Sequence, residues 1–231
     1  MDMLIILPGW MHDAKHWDTV SKLLYNQNIR HAVLDFPGFG TVTKSDAIVD
    51  FESLLDWTSN EIQRITADID EPITLLGHSC GGRIALALEV DNNIYKQLIL
   101  IGSPNLYRPT LTVRAIKLLS QVADPIKTLI PTKLRHKLRS DDYTQATETG
   151  MQALYQSVVV ADQTTLTNQV TTKVQLLWGA QDTATPVRIA YELQTLLADS
   201  TLTVLPNLGH NLHHENPGLL AGKIKLFLQY E

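Results

Sequence analysis

Short apolar runs at 4–7, 32–34, 73–76, 98–101, 174–178 and 202–205 recur along the chain at wide intervals, and each reads as a buried strand. Between them, 17–25, 47–65, 83–90, 187–197 and 219–228 carry apolar residues at three- and four-residue steps, the spacing of a helix with one buried face. Strands that are apolar throughout, alternating with helices, predict a mostly parallel sheet covered on both faces, an α/β doubly wound domain. Gly or Pro marks the end of every predicted strand: Pro8-Gly9, Pro37-Gly38, Gly77, Gly102, Gly179 and Pro206. In an open sheet of this kind ligands bind beyond the carboxyl ends of the strands, so these loops are where chemistry is expected.

The rhythm breaks between 104 and 173, where no strand pattern occurs and Pro109, Pro125 and Pro131 interrupt helical segments. This stretch reads as a helical insertion in a core formed by 1–103 and 174–231. It holds nine Lys/Arg and five Asp/Glu, net +4, whereas the rest holds ten and nineteen, net -9. Lys133, Arg135, Lys137 and Arg139 form a basic cluster within it, readable as a solvated face or as an attractor of anionic substrates.

The segment Ile73 to Leu86 runs from a strand through Gly77-His78-Ser79-Cys80-Gly81 directly into an apolar helix. A serine at such a turn is exposed at the sheet edge and sits where unpaired helix N–H groups favour developing negative charge. Ser79 is thereby the candidate nucleophile. A serine hydroxyl needs a general base held by a third group, and two loops supply them. Asp182 follows the strand at 174–178, and His210 follows the last strand, in the order Ser, Asp, His. The loop after 98–101, Gly102-Ser103-Pro104-Asn105, offers no carboxylate, which leaves Asp182 as the acid. Backbone N–H groups of Cys80 and Trp10 are the candidates for an oxyanion hole.

Other residues have plainer readings. Cys80 starts the helix as a small filler, His78 packs beside the turn, and Asp35 holds a strand end. His12 and His16 fall near the oxyanion loop, within range of a substrate. His210, His213, His214 and Glu215 resemble a metal cluster in composition, but committing His210 to a metal would remove the serine's base, so no metal is expected. No Gly-rich phosphate fingerprint is present and no cofactor is expected.

The stretches LPGW, LDFPGFG, GHSCGGRIAL, LLWGAQDTATP and LPNLGHNLHHENP resemble the α/β-hydrolase fold family, in its small esterase and C–C hydrolase branch. The resemblance implies an eight-stranded type of sheet lacking its first strands, a catalytic triad of Ser79, Asp182 and His210, and a helical cap at 104–173. One departure is Pro8, where the family's oxyanion loop often carries histidine. The activity implied is cleavage of a small carboxylic ester or thioester through an acyl-enzyme. C–C bond hydrolysis or a lyase reaction on the same triad, and non-catalytic binding of a small molecule, remain the alternatives.

Composition narrows the setting. With 44% hydrophobic and 19% charged residues among 231, the chain has ample apolar content for a core. A net charge of -5 gives no field for holding nucleic acid. A single cysteine fits a reducing compartment, the start MDMLIILPGW lacks the basic flank of an export signal, and no run is long enough to span a membrane. A cytoplasmic protein is expected.

Overall fold

The computed structural model describes residues 2–92, 94–108 and 141–229. Six strands form one sheet: β1 (Met3–Leu7), β2 (His31–Val33), β3 (Ile73–His78), β4 (Gln97–Ile101), β5 (Lys173–Gly179) and β6 (Ser200–Leu205). They lie in the order β2-β1-β3-β4-β5-β6, and every neighbouring pair is parallel. The order reverses between β1 and β3, the topological switch point at whose carboxyl end a crevice opens.

The helices are α1 (Asp18–Asn26), α2 (Phe51–Thr66), α3 (Cys80–Asn92), α4 (Asp141–Glu148), α5 (Gln152–Val160), α6 (Thr164–Thr167), α7 (Arg188–Leu196), α8 (Leu212–Glu215) and α9 (Pro217–Gln229). A 3-10 turn, Ala14–Trp17, leads into α1. Because side chains alternate along a strand, one face of the sheet carries Ile5, Leu75, Leu98 and Leu176. These pack with Leu54 of α2, Ile84 of α3 and Leu193 of α7. Leu4, Leu76, Ile99 and Leu177 point the other way and pack with Leu24 of α1 and Ile224 of α9. Every residue of β1 and of β4 is buried, as strands covered on both faces must be.

All six predicted strands are present, and several run further than the apolar runs did. Polar His78, Gln97 and Lys173 keep the ladder, with His78 paired to Ile101 and Gln97 to Lys173. Helix α2 starts at Phe51 rather than at 47, because Asp50 caps it: its carboxylate accepts the Ser53 N–H at 2.9 Å, and the Ser53 hydroxyl accepts the Asp50 N–H. The basic cluster, with Pro109, Pro125 and Pro131, lies outside the described residues. No helix among the described residues is long and apolar enough to cross a membrane.

Candidate active site

Ser79 stands between the end of β3 and the start of α3 with φ 51°, a left-handed conformation that costs a non-glycine residue about 1 kcal/mol or more. Its surroundings hold it there. The Ser79 N–H donates to the Ile101 carbonyl at 2.9 Å, and its own carbonyl accepts the Gly82 N–H at 3.0 Å and the Ser103 hydroxyl at 3.2 Å. The flanking glycines are required by close approach: a Cβ on Gly81 would stand 2.1 Å from the Leu7 carbonyl oxygen, and one on Gly77 2.4 Å from Gly82 Cα.

Asp182 and His210 come from the loops after β5 and β6 and meet, with His210 Nδ1 2.8 Å from Asp182 Oδ2. The other carboxylate oxygen accepts the Thr185 N–H at 2.7 Å, and the Thr185 carbonyl accepts the indole N–H of buried Trp178 at 2.8 Å. The Asp182 side chain is fully buried, whereas His210 keeps 18% of its side chain exposed, so the imidazole faces outward from a fixed acid.

Ser79, His210, Trp10 and Cys80 line one cavity of about 590 Å³, within the range that suits a small molecule. The same cavity is lined by Asp141 and Asp142 of α4 and by Tyr155, Val158 and Val159 of α5. Trp10 is 6% exposed and packs edge-on against Phe39 and Tyr155. Cys80 is buried, with Sγ 3.9 Å from the Pro8 carbonyl, and burial pushes its thiol up to about 12, which leaves it inert.

Several residues that shape the site carried no local signal. Arg83 of α3 is 3% exposed and donates to the Val159 carbonyl at 3.2 Å and to the Ala161 carbonyl, fastening α3 to the end of α5; burial lowers its guanidinium to about 10. Glu215 of α8 accepts the Gly209 N–H at 2.6 Å and the Asn211 N–H at 3.1 Å, gripping the backbone on both sides of His210. Asp142 has its carboxyl raised by burial and by the neighbouring charge of Asp141. A capping pattern of the Ser-x-x-Glu kind would have missed Glu215, whose N–H donors, Gly209 and Asn211, lie before its own helix.

Residues read as plain in the sequence have definite places. Asp35 accepts the N–H groups of Ala14 at 2.7 Å and Thr41 at 2.9 Å, tying the loop after β1 to the loop after β2. His16 bonds Asp13 and turns away from the cavity that His12 lines. Burial, with the neighbouring rings, lowers His12 to about 4 and His213 to about 2, and holds His78 well below its usual value.

The model of the Alpha/beta hydrolase family matches residues 4–223. The chain belongs to that family. Among its relatives, a pimeloyl-[acyl-carrier protein] methyl ester esterase of Nitrosomonas europaea is 24% identical, covering 90% of this chain and 88% of its own length. A thermophilic esterase from Thermogutta terrifontis superposes with a TM-score of 0.75 at 18% identity, covering 99% of this chain and 90% of that one. An esterase from Exiguobacterium antarcticum gives 0.73 at 17%, covering 100% and 92%. For this member of the family, the two structural likenesses show the shared fold, and the names of the relatives support a hydrolase of the esterase type.

Proposed function

We propose that the protein is a serine hydrolase that cleaves a small carboxylic ester or thioester through an acyl-enzyme. The observation that carries this reading is the strained Ser79, at φ 51° on the elbow, sharing a cavity with a histidine whose Nδ1 is held 2.8 Å from a buried carboxylate. With Nδ1–H donated to Asp182, the His210 lone pair is on Nε2, the form that accepts a proton.

In the proposed cycle, Ser79 Oγ attacks the ester carbonyl as His210 Nε2 takes the hydroxyl proton. The tetrahedral oxyanion is held by the backbone N–H groups of Trp10 and Cys80, the second of which lies at the start of α3 where the helix favours negative charge. The intermediate collapses, the C–O or C–S bond to the leaving group breaks, and His210 returns the proton to it. Water, deprotonated by His210, then cleaves the Ser79 acyl ester and releases the acid. Asp182 stabilises the imidazolium in both halves.

Residues 104–173 act as the cap in this reading, over a core of 1–103 and 174–231. The support is the cavity wall made by α4 and α5 and the grip of Arg83 on Val159 and Ala161. The Nitrosomonas relative is named for a methyl ester of an acyl group, in keeping with an ester bond as the target. A cytoplasmic setting is in keeping with a lone, buried, free Cys80.

The test is turnover of p-nitrophenyl esters of rising acyl length by the native chain and by Ser79→Ala. The variant is expected to keep the circular dichroism spectrum and to lose turnover. Undiminished turnover by a folded Ser79→Ala chain would overturn the reading.

A further inference from the structure

Beside the candidate triad, histidines from three separated segments converge. His12 stacks on His16 with centroids 4.7 Å apart, His213 stacks on Trp17 at 4.6 Å, and the His78 and His213 rings meet at 4.7 Å. Within the cluster, His12, His78 and His213 each offer one ring nitrogen within 4.8 Å of the other two. These are also the rings with unmet needs: His12 Nδ1, His78 Nδ1 and both nitrogens of His213 are buried without a hydrogen-bond partner. His78 is 1% and His213 2% exposed, so bulk water does not reach them. Buried polar atoms left unsatisfied are costly, and one nitrogen from each of the three rings can meet a common partner.

We propose that His12, His78 and His213 form a site for a divalent transition-metal ion of the zinc type. Neutral imidazoles are the ligands such an ion prefers, and three of them with water in a fourth position make a familiar coordination shell. The surrounding structure fits a ligand role for His78. Its Nε2–H donates to the His210 carbonyl at 3.1 Å, which fixes the tautomer and leaves the lone pair on Nδ1; metal-bound histidines are commonly oriented by such a bond. An entry path exists, because His12 and His78 also line the cavity. Zinc–nitrogen bonds of about 2.1 Å in a tetrahedron bring the nitrogens to roughly 3.4 Å from one another, so nitrogens now within 4.8 Å close by at most about 1.4 Å on the ion. His12, half-buried on a loop, is the ring freest to make that adjustment.

The set differs from the grouping visible in the sequence. His210 is engaged with Asp182, His214 is exposed and His16 is bonded to Asp13, whereas the three proposed ligands are distant in sequence and meet only through the fold. Their positions give the ion a structural consequence: His12 follows Trp10 on its loop, His78 precedes Ser79, and His213 lies in α8 after His210. One ion would fasten all three segments to one another. The site does not depend on the ester-cleaving reaction.

The experiment is calorimetric and thermal titration of the full chain, stripped with chelator and dialysed, with zinc sulfate. One Zn2+ per chain is expected, with Tm rising by about 5–10 °C at a hundredfold excess over Kd. Cobalt(II) in place of zinc is expected to give the intense visible bands of a tetrahedral site. His12→Gln, on a half-buried loop, is expected to weaken zinc binding at least about tenfold while keeping the circular dichroism spectrum. The double variant His16→Gln/His214→Gln is expected to bind as the native chain does. Absence of both heat and Tm shift with excess zinc would overturn the site. So would binding that survives in His12→Gln and disappears in the double variant, which would place the ion on surface histidines.

Discussion

Asp182 and His210 approach to 2.8 Å between Oδ2 and Nδ1 although 28 residues separate them, because parallel strands β5 and β6 deliver both loops to the same edge of the sheet. The acid has no freedom to leave. Its second oxygen is committed to the Thr185 N–H, and Thr185 is itself held by Trp178.

Asp182→Asn keeps the shape of this arrangement and removes the charge that stabilises imidazolium. It also allows the ring to settle in the wrong tautomer. On the proposed mechanism kcat falls by about 10³–10⁴-fold with little change in KM. Steady-state kinetics on a short-chain ester check this, and a loss below tenfold would assign the acid elsewhere.

Arg83→Met replaces a buried guanidinium with an apolar chain of similar reach. It leaves the carbonyls of Val159 and Ala161 without their donor. The expected cost is about 1–2 kcal/mol in urea unfolding, from the lost hydrogen bonds of the guanidinium to two part-buried carbonyls. Because Tyr155, Val158 and Val159 of α5 line the cavity, the acyl-length preference is also expected to broaden. A variant with native stability and native preference would show that the tether is dispensable.

The core of the fold was readable because parallel strands buried on both faces announce themselves as apolar runs, and helices as steps of three and four. Strand ends were less readable: His78 and Gln97 are polar yet paired, since the ladder is made by backbone groups that the side-chain pattern does not report. Ser79, Asp182 and His210 stood out through their positions after strands. Arg83, Asp142 and Glu215 did not, because Arg83 meets carbonyls more than 75 residues away and Asp142 reaches the cavity only through the packing of α4. The histidine cluster was half visible. The sequence showed His210, His213 and His214 as neighbours, but the fold brings His213 of these into the group whose ring nitrogens lie within 4.8 Å of one another with His12 and His78.

Stability is expected to fall with acid in metal-free protein. His12, His78 and His213 have folded-state values below that of an exposed histidine, through burial first and then through one another, His16, His210 and His214, with Asp13 opposing at His12. The folded chain thus holds these rings neutral while the unfolded chain protonates them. Their contribution is fully present above about pH 7 and is lost as pH falls through 6.5 toward 4, by up to about 1 kcal/mol per pH unit for each ring. Urea midpoints between pH 8 and pH 5, measured with chelator, check the sign. A midpoint that rises toward acid would contradict it.

Reaction with a fluorophosphonate followed by peptide mass mapping tests directly whether Ser79 is the nucleophile. One adduct per chain is expected on the peptide bearing Ser79, with esterase turnover lost in parallel with labelling and no adduct on Ser79→Ala. Full turnover by a chain that takes no label, or an adduct on a different residue, would contradict it.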